Sequence, residues 1–336
     1  MAVAEGKSKL KIKKTMEICG VSLMFLALFL VAVRSFTIDI FDEGRYQSFL
    51  APAGKIMDAE KDSFSFVVAS DTGAKNRSIE YIAKKARKSD ASFILYLGDL
   101  VRYRNPSHFK WITDELAQKL KNFPFYAVPG NHEILTEDGV VDRTLYTSVF
   151  GQPYYWFGYG NTLFIGLNSS EGILSQSQLE WLSVILKKIR PQFKYCVIFS
   201  HYPPISKDRK INRELDPVSR KKFEEVIRGR DVDLILAGHV HYFWKGEFAG
   251  IPLVTVPSSG QPVRSDIDKL GYVKVRIGKD GIFSVKEHYI DVDSDMEFME
   301  VFFSNALVKD EINDISMGLF LFGLVLFVLG KRLKTE

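Results

Sequence analysis

This sequence predicts an α/β domain flanked by two long apolar helices. Three observations carry the prediction. Short β-rich runs alternate with helical patterns through the middle of the chain. Five of those runs end on a side chain able to bind a metal. An uncharged stretch of 16 residues stands near each terminus.

The elements follow in order. Residues 1–14 form a basic tail. Ile18–Val33 carries no charge, which places a first membrane helix at 15–34. Residues 35–62 are mixed and polar, with Ala-Pro-Ala-Gly near the middle, and read as a connector. The main domain is placed at 63–292. It opens with the strand-like FSFVVAS (64–70), a basic helix at 78–88, SFILYLG (92–98), a helix around 109–120 and FPFYAVPG (123–130). NTLFIGLNS (161–169) reads as a strand and SQSQLEWLSVILKKI (175–189) as a helix, with Ser175 as its N-cap and Gln178 three residues on. FKYCVIFS (193–200), a helix at 217–228 and VDLILAG (232–238) continue the alternation. IPLVTVPS, GYVKVRIG and GIFSVKEHYI then alternate like antiparallel strands. A connector at 293–312 leads to a second membrane helix at 313–330 and a basic tail at 331–336.

The rival reading of the first apolar segment is a cleaved signal peptide, but Val-Ala-Val-Arg-Ser-Phe offers no small-x-small site. The second segment, Ile315–Gly330, is apolar around its whole circumference and ends in basic residues, which favours a span over a core helix. Sixteen residues rise about 24 Å against a hydrocarbon core of ~30 Å, so flanking residues and snorkelling lysines are needed to close the gap. The positive-inside tendency puts both termini in the cytoplasm and the domain outside it. Gly318 and Gly323 are five apart, not four, so no helix-dimer motif is read from them.

The first fourteen residues carry +4 and the last six +2, so the rest of this +4 chain is net −2. The basic balance belongs to the tails and marks no nucleic-acid-binding face. Two cysteines, Cys19 and Cys196, make no disulfide framework.

The strand-like runs end at Asp71, Asp99, Asn131, His201 and His239, with His241 two residues further on. In open α/β sheets, sites form outside the carboxyl ends of the strands, so these residues are expected to converge. Carboxylate oxygens and imidazole nitrogens suit Zn, Mn or Fe, and the lack of thiolates disfavours a structural zinc. Of six histidines, four (His132, His201, His239 and His241) fall at these turns, which core packing does not explain.

The series SDTG, LGDL, PGNHE, FSHYPP and AGHVH resembles the calcineurin-like metallophosphoesterases over about residues 64–290. The resemblance implies a four-layer αββα sandwich with two divalent or trivalent ions (Mn, Zn or Fe) about 3.5 Å apart. It implies that Asp71, Asp99 and His241 hold one ion, that Asp99, Asn131, His201 and His239 hold the other, and that Asp99 bridges them. A hydroxide between the ions would attack a phosphate mono- or diester, and His132 would protonate the leaving oxygen. Glu133 either orients His132 or caps a helix.

The pattern departs from its relatives at one point. Many carry Asp-x-His first, whereas Gly73 stands third here; purple acid phosphatases share Asp-x-Gly but place a Tyr where this chain has Arg102, with Tyr103 one residue late. Three readings stay open: Tyr103 reaches the metal, His108 does, or fewer protein ligands hold the first ion. Arg102 either forks onto the substrate phosphate or is a solvated surface residue. The alternative function is a non-catalytic domain of the same fold that binds a partner or a lipid headgroup. Monoester, diester, nucleotide and lipid-linked phosphates all stay open as substrates, and the sequence shows no oligomeric state.

Overall fold

Phe64–Ala69 is buried at every position, as a strand covered on both faces must be. That pattern recurs through the computed structural model, which describes residues 2–38, 49–73, 76–102, 104–136, 138–208, 213–261, 269–290 and 311–332. In chain order the elements are α1 (Ala2–Ile38), β1 (Ile56–Met57), β2 (Phe64–Ala69), α2 (Asn76–Lys88), β3 (Ala91–Tyr96), α3 (Pro106–Leu120), β4 (Phe125–Ala127), α4 (Asn131–Ile134), α5 (Thr144–Phe150), β5 (Tyr155–Tyr159), β6 (Thr162–Leu167), α6 (Gln176–Lys188), β7 (Tyr195–Ser200), α7 (Pro217–Ile227), β8 (Leu234–Ala237), β9 (Trp244–Phe248), β10 (Ile251–Thr255), β11 (Gly271–Gly278), β12 (Gly281–Tyr289) and α8 (Glu311–Arg332). Two compact units result: one holds α1 and α8, and the other, Asp42–Asp293, holds the rest.

The larger unit is α/β with two mixed sheets. One runs β1-β5-β6-β7-β8-β10-β9, the other β12-β11-β2-β3-β4. β6, β7, β8 and β10 are parallel neighbours, as are β2, β3 and β4. Antiparallel β9 forms one edge of the first sheet, and antiparallel β11 and β12 extend one side of the second. Alternation along β6 sorts its side chains. Phe164 faces the other sheet, while Leu163 and Ile165 join Leu179, Leu182 and Leu186 of α6 on the outer face. Between the sheets lie Phe66, Val68, Phe93 and Leu95 from one side and Phe157, Phe164, Val197 and Phe199 from the other. Phe66 stacks on Phe93 at 5.1 Å and Phe157 on Phe164 at 4.9 Å, while Phe93 meets Phe164 edge-on at 5.3 Å. Each such pair contributes about 0.5–1.5 kcal/mol beyond its burial.

Ser175 caps α6 as expected, its hydroxyl accepting from Gln178 N at 3.2 Å. Gln178 does not reach back. Its amide instead pairs with the backbone N–H and carbonyl of Asn168 at 2.7 and 2.9 Å, tying helix to strand end. Ile56–Met57, inside the stretch read as connector, adds a short strand beside β5.

The membrane reading is corrected. Among the described residues, no helix is long and apolar enough to cross a membrane. The two spans, the membrane as a partner, and the two-pass placement with an extracytoplasmic domain all fall with it. Helices do form there, but each uncharged run rises only about 24 Å against ~30 Å. Glu17 and Arg34 bound the first run, and Asp314 and Lys331 the second. Within this unit α1 and α8 meet at Gly20 and Gly323. A Cβ on Gly20 would overlap the Gly323 carbonyl and lie 2.8 Å from Phe327 N, whereas Gly318 meets nothing. The glycine that matters pairs across helices, so its spacing within one helix says nothing.

Candidate functional site

Each candidate ligand sits just past a strand, where the chain leaves the ladder and can turn sharply. Asp71 follows β2, Asp99 β3, Asn131 β4, His201 β7 and His239 β8. Four of them bend through the left-handed region: Asp71 (φ 56°), Asp99 (58°), His239 (65°) and His241 (64°). For a residue with a Cβ this region costs about 1–2 kcal/mol, and such strain concentrates at functional sites. Glycines let the loops touch. A Cβ on Gly98 would lie 2.5 Å from Gly130 N, and one on Gly130 would overlap the Asp99 carboxylate. The loops are also bonded, Asp71 N to Gly98 O and Gly73 N to Asp99 O, both at 3.0 Å.

His201 sets the character of the site. It is fully buried, and its Nδ1 lies 2.6 Å from Leu97 O. A carbonyl only accepts, so Nδ1 carries the proton and Nε2 is bare in the neutral ring. That bare nitrogen faces Asn131 Oδ1 at 3.1 Å, His239 Nδ1 at 3.1 Å and Asp99 Oδ1 at 3.4 Å. Asp99, His201 and His239 are buried and hold their ligand atoms within 4.8 Å of one another. Asn131 Oδ1 and Asp99 Oδ1 are acceptors turned on the bare His201 nitrogen, a buried grouping that a cation among them would satisfy, so the donor set fits a metal.

Asp71 and His241 form a second, adjoining pair, Oδ1 to Nε2 at 3.2 Å. Asp71 is wholly buried; its Oδ2 accepts the His239 N–H at 3.1 Å, while Oδ1 accepts no hydrogen bond. Burial alone would raise the Asp71 carboxyl, but His241 and then His201 pull it below the ordinary carboxylate range. A buried carboxylate oxygen and an imidazole nitrogen 3.2 Å apart are again a donor pair that a cation would fit.

His132 stands at the rim. Its Nδ1 donates to Arg102 O at 2.6 Å, its backbone N–H donates to Asp99 Oδ1 at 3.0 Å, and its Nε2 lies 3.7 Å from Asp99 Oδ2. Burial works to lower its proton affinity; the Asp99 charge and the Arg102 carbonyl outweigh it and raise the imidazole above its usual value. Arg102 thus enters the site through its backbone carbonyl. Tyr103 lies outside the described residues. His108 is buried on α3.

Glu133 proves to be a cap and more. Its buried carboxylate accepts Gly130 N at 2.7 Å, closing the turn into α4, and also Asp99 N at 2.8 Å and Val101 N at 2.9 Å. One side chain therefore pins the two loops that carry Asp99 and Asn131. Burial, then the Asp99 charge, pushes its pKa up to about 7 against those three donors. Sequence reading missed Tyr202, whose ring stacks on His239 at 3.8 Å and 26°. Its place next to His201 was the available signal.

Known proteins resemble this chain. Residues 64–243, more than half of the chain, match the pattern of the calcineurin-like phosphoesterase family. A probable cyclic nucleotide phosphodiesterase of Rhodococcus erythropolis is 41% identical over 192 residues, which is 49% of this chain and 56% of that one. The serine/threonine-protein phosphatase CPPED1 of Pongo abelii is 25% identical over 204 residues, 56% of this chain and 65% of its own. The chain thus spans less than two thirds of either relative's length. Among solved structures, purple acid phosphatase from yellow lupin superposes with a TM-score of 0.53 at 15% identity, covering 72% of this chain and 56% of that one.

Proposed function

Because the chain belongs to the calcineurin-like phosphoesterase family, we propose that it is a metal-dependent phosphoric ester hydrolase acting on a phosphate mono- or diester. The observation that carries the reading is the bare, buried Nε2 of His201 facing Asn131 Oδ1 and Asp99 Oδ1. In this reading Asp99, Asn131, His201 and His239 hold one ion, Asp71, Asp99 and His241 hold a second, and Asp99 is shared. The metal pair, when bound, supplies Lewis acidity that acidifies water and offsets charge on the phosphoryl oxygens.

The chain's own residues do the rest. Leu97 O fixes the His201 tautomer, and Tyr202 holds the plane of His239. Glu133 holds the Asp99 and Asn131 loops in register. His132, anchored at Nδ1 by Arg102 O, keeps Nε2 for the leaving oxygen and gives up its proton there. Arg102 is assigned to the substrate phosphate on charge.

The test is turnover of 4-nitrophenyl phosphate and bis(4-nitrophenyl) phosphate by the full chain with Mn(II). His132→Ala is expected to lose about 10²–10⁴-fold in kcat while retaining metal. Asp99→Ala is expected to lose both. Wild-type turnover in both variants would contradict the proposal, and a metal-loaded chain inert toward both esters would favour a binding domain.

A further inference from the structure

The two halves of the site are unequally furnished. Asp99, Asn131, His201 and His239 surround one position. Among the described residues the other has Asp71 and His241 with the shared Asp99, three protein donors, which leaves a coordination position open. One more unspent polar group stands at this side. Gly73, at φ 56°, has no side chain, and the space above it is filled by Gln261: a Cβ on Gly73 would lie 2.7 Å from Gln261 Cγ, 3.3 Å from Cδ and 3.4 Å from Nε2. The end of that carboxamide is buried, and Nε2 has no hydrogen-bond partner. A half-turn of the amide puts Oε1 in the same place, and a carboxamide oxygen is a hard neutral ligand.

The backbone around Gln261 is built onto Asp71. The N–H groups of Gly260 and Gln261 reach Asp71 O at 3.2 and 2.8 Å. The Ser258 hydroxyl lies 3.0 Å from Asp71 O and 2.7 Å from Gln261 O. A Cβ on Gly260 would overlap the Thr72 carbonyl, so this loop is pressed against the segment that carries Asp71. Asp71 Oδ1, which faces His241 Nε2, and Gln261 Nε2 are both buried, on segments bonded to each other.

We propose that Gln261 completes the second cation position, its carboxamide oxygen joining Asp71, Asp99 and His241. The proposal rests on the metal-dependent reading above. It assigns to a residue outside every motif of the sequence the task of holding the weaker ion.

Mn(II) titration of the full chain, read by electron paramagnetic resonance, tests it. Wild type is expected to take up two equivalents and show the signal of a spin-coupled pair. In Gln261→Ala the first equivalent binds as before, the second weakens at least ~10-fold, and the pair signal is lost. Gln261→Glu restores both, and Asp71→Asn loses the same equivalent as Gln261→Ala. Should the alanine variant not fold, Gln261→Met, which keeps the bulk without the oxygen, is expected to behave as predicted for alanine. Two equivalents bound with wild-type affinity in these variants would overturn the role of Gln261 and leave the hydrolase reading standing. A wild-type chain that takes up no Mn(II) would overturn both.

Discussion

The two ends of the strands treat polar side chains in opposite ways. At the amino ends a groove is lined by Phe64, Ala91 and Pro124, and Asp58, Lys61 and Lys274 in it have partners. Tyr159 donates to Asp58 at 2.6 Å, Lys61 donates to Tyr159 at 3.0 Å and meets Asp58 at 3.2 Å, and Lys274 donates to Ser89 O at 2.6 Å. At the carboxyl ends, the bare His201 Nε2 faces the Asn131 and Asp99 oxygens, a buried Asp71 oxygen faces an imidazole, and four residues hold a left-handed backbone. Folding alone satisfies buried polar groups. An end left unsatisfied gives up stability that a ligand must restore. The contrast locates the function without reference to any relative.

The sharpest way to break the contrast is to neutralise the shared carboxylate. Asp99→Asn removes the charge and keeps an acceptor for His132 N. Turnover is expected to fall on the order of 10³-fold. The metal-free chain is expected to become more stable by ~1 kcal/mol in urea unfolding, because a repulsion is relieved. A destabilised metal-free chain would mean that the carboxylate contributes to the fold as well as to the site.

Glu133 belongs to the same end but is satisfied, so it should behave oppositely. Glu133→Ala strands the N–H groups of Asp99, Val101 and Gly130. The loss is expected to be about 3 kcal/mol or more by chemical denaturation, with each stranded group at ~1–3 kcal/mol. Gly130→Ala comes next: its Cβ displaces the Asp99 carboxylate, so turnover is expected to drop ~10²-fold with little change in secondary structure by circular dichroism. The smallest effect is expected at the other end. Lys61→Met breaks a half-exposed pair and should change stability by less than ~1 kcal/mol, leaving turnover at the wild-type level. A Lys61 variant with impaired turnover would erase the distinction between the two ends.

Much of this was legible because a strand is a local pattern. Each β-rich run ended on the residue the structure places at the site's loops, and Ser175 announced its helix. What stayed hidden depends on partners distant in sequence. Nothing in Gly-Asn-His-Glu says that Glu133 reaches Val101 as well as Gly130. Gln261 lies in a polar stretch without a motif, and only its position over Gly73 singles it out. The left-handed turns at His239 and His241 are set by loops pressed together, not by the residue type. The apolar termini show the reverse failure: a composition signal was clear, yet the uncharged length fell short of a span.

Crystals of the wild-type chain soaked in Mn(II) and measured at the manganese absorption edge test the central claim most directly. The account predicts one anomalous peak among Asp99, Asn131, His201 and His239 and a second beside Asp71 and His241. Soaked crystals with no peak at that cluster, or with peaks only elsewhere on the chain, would contradict it.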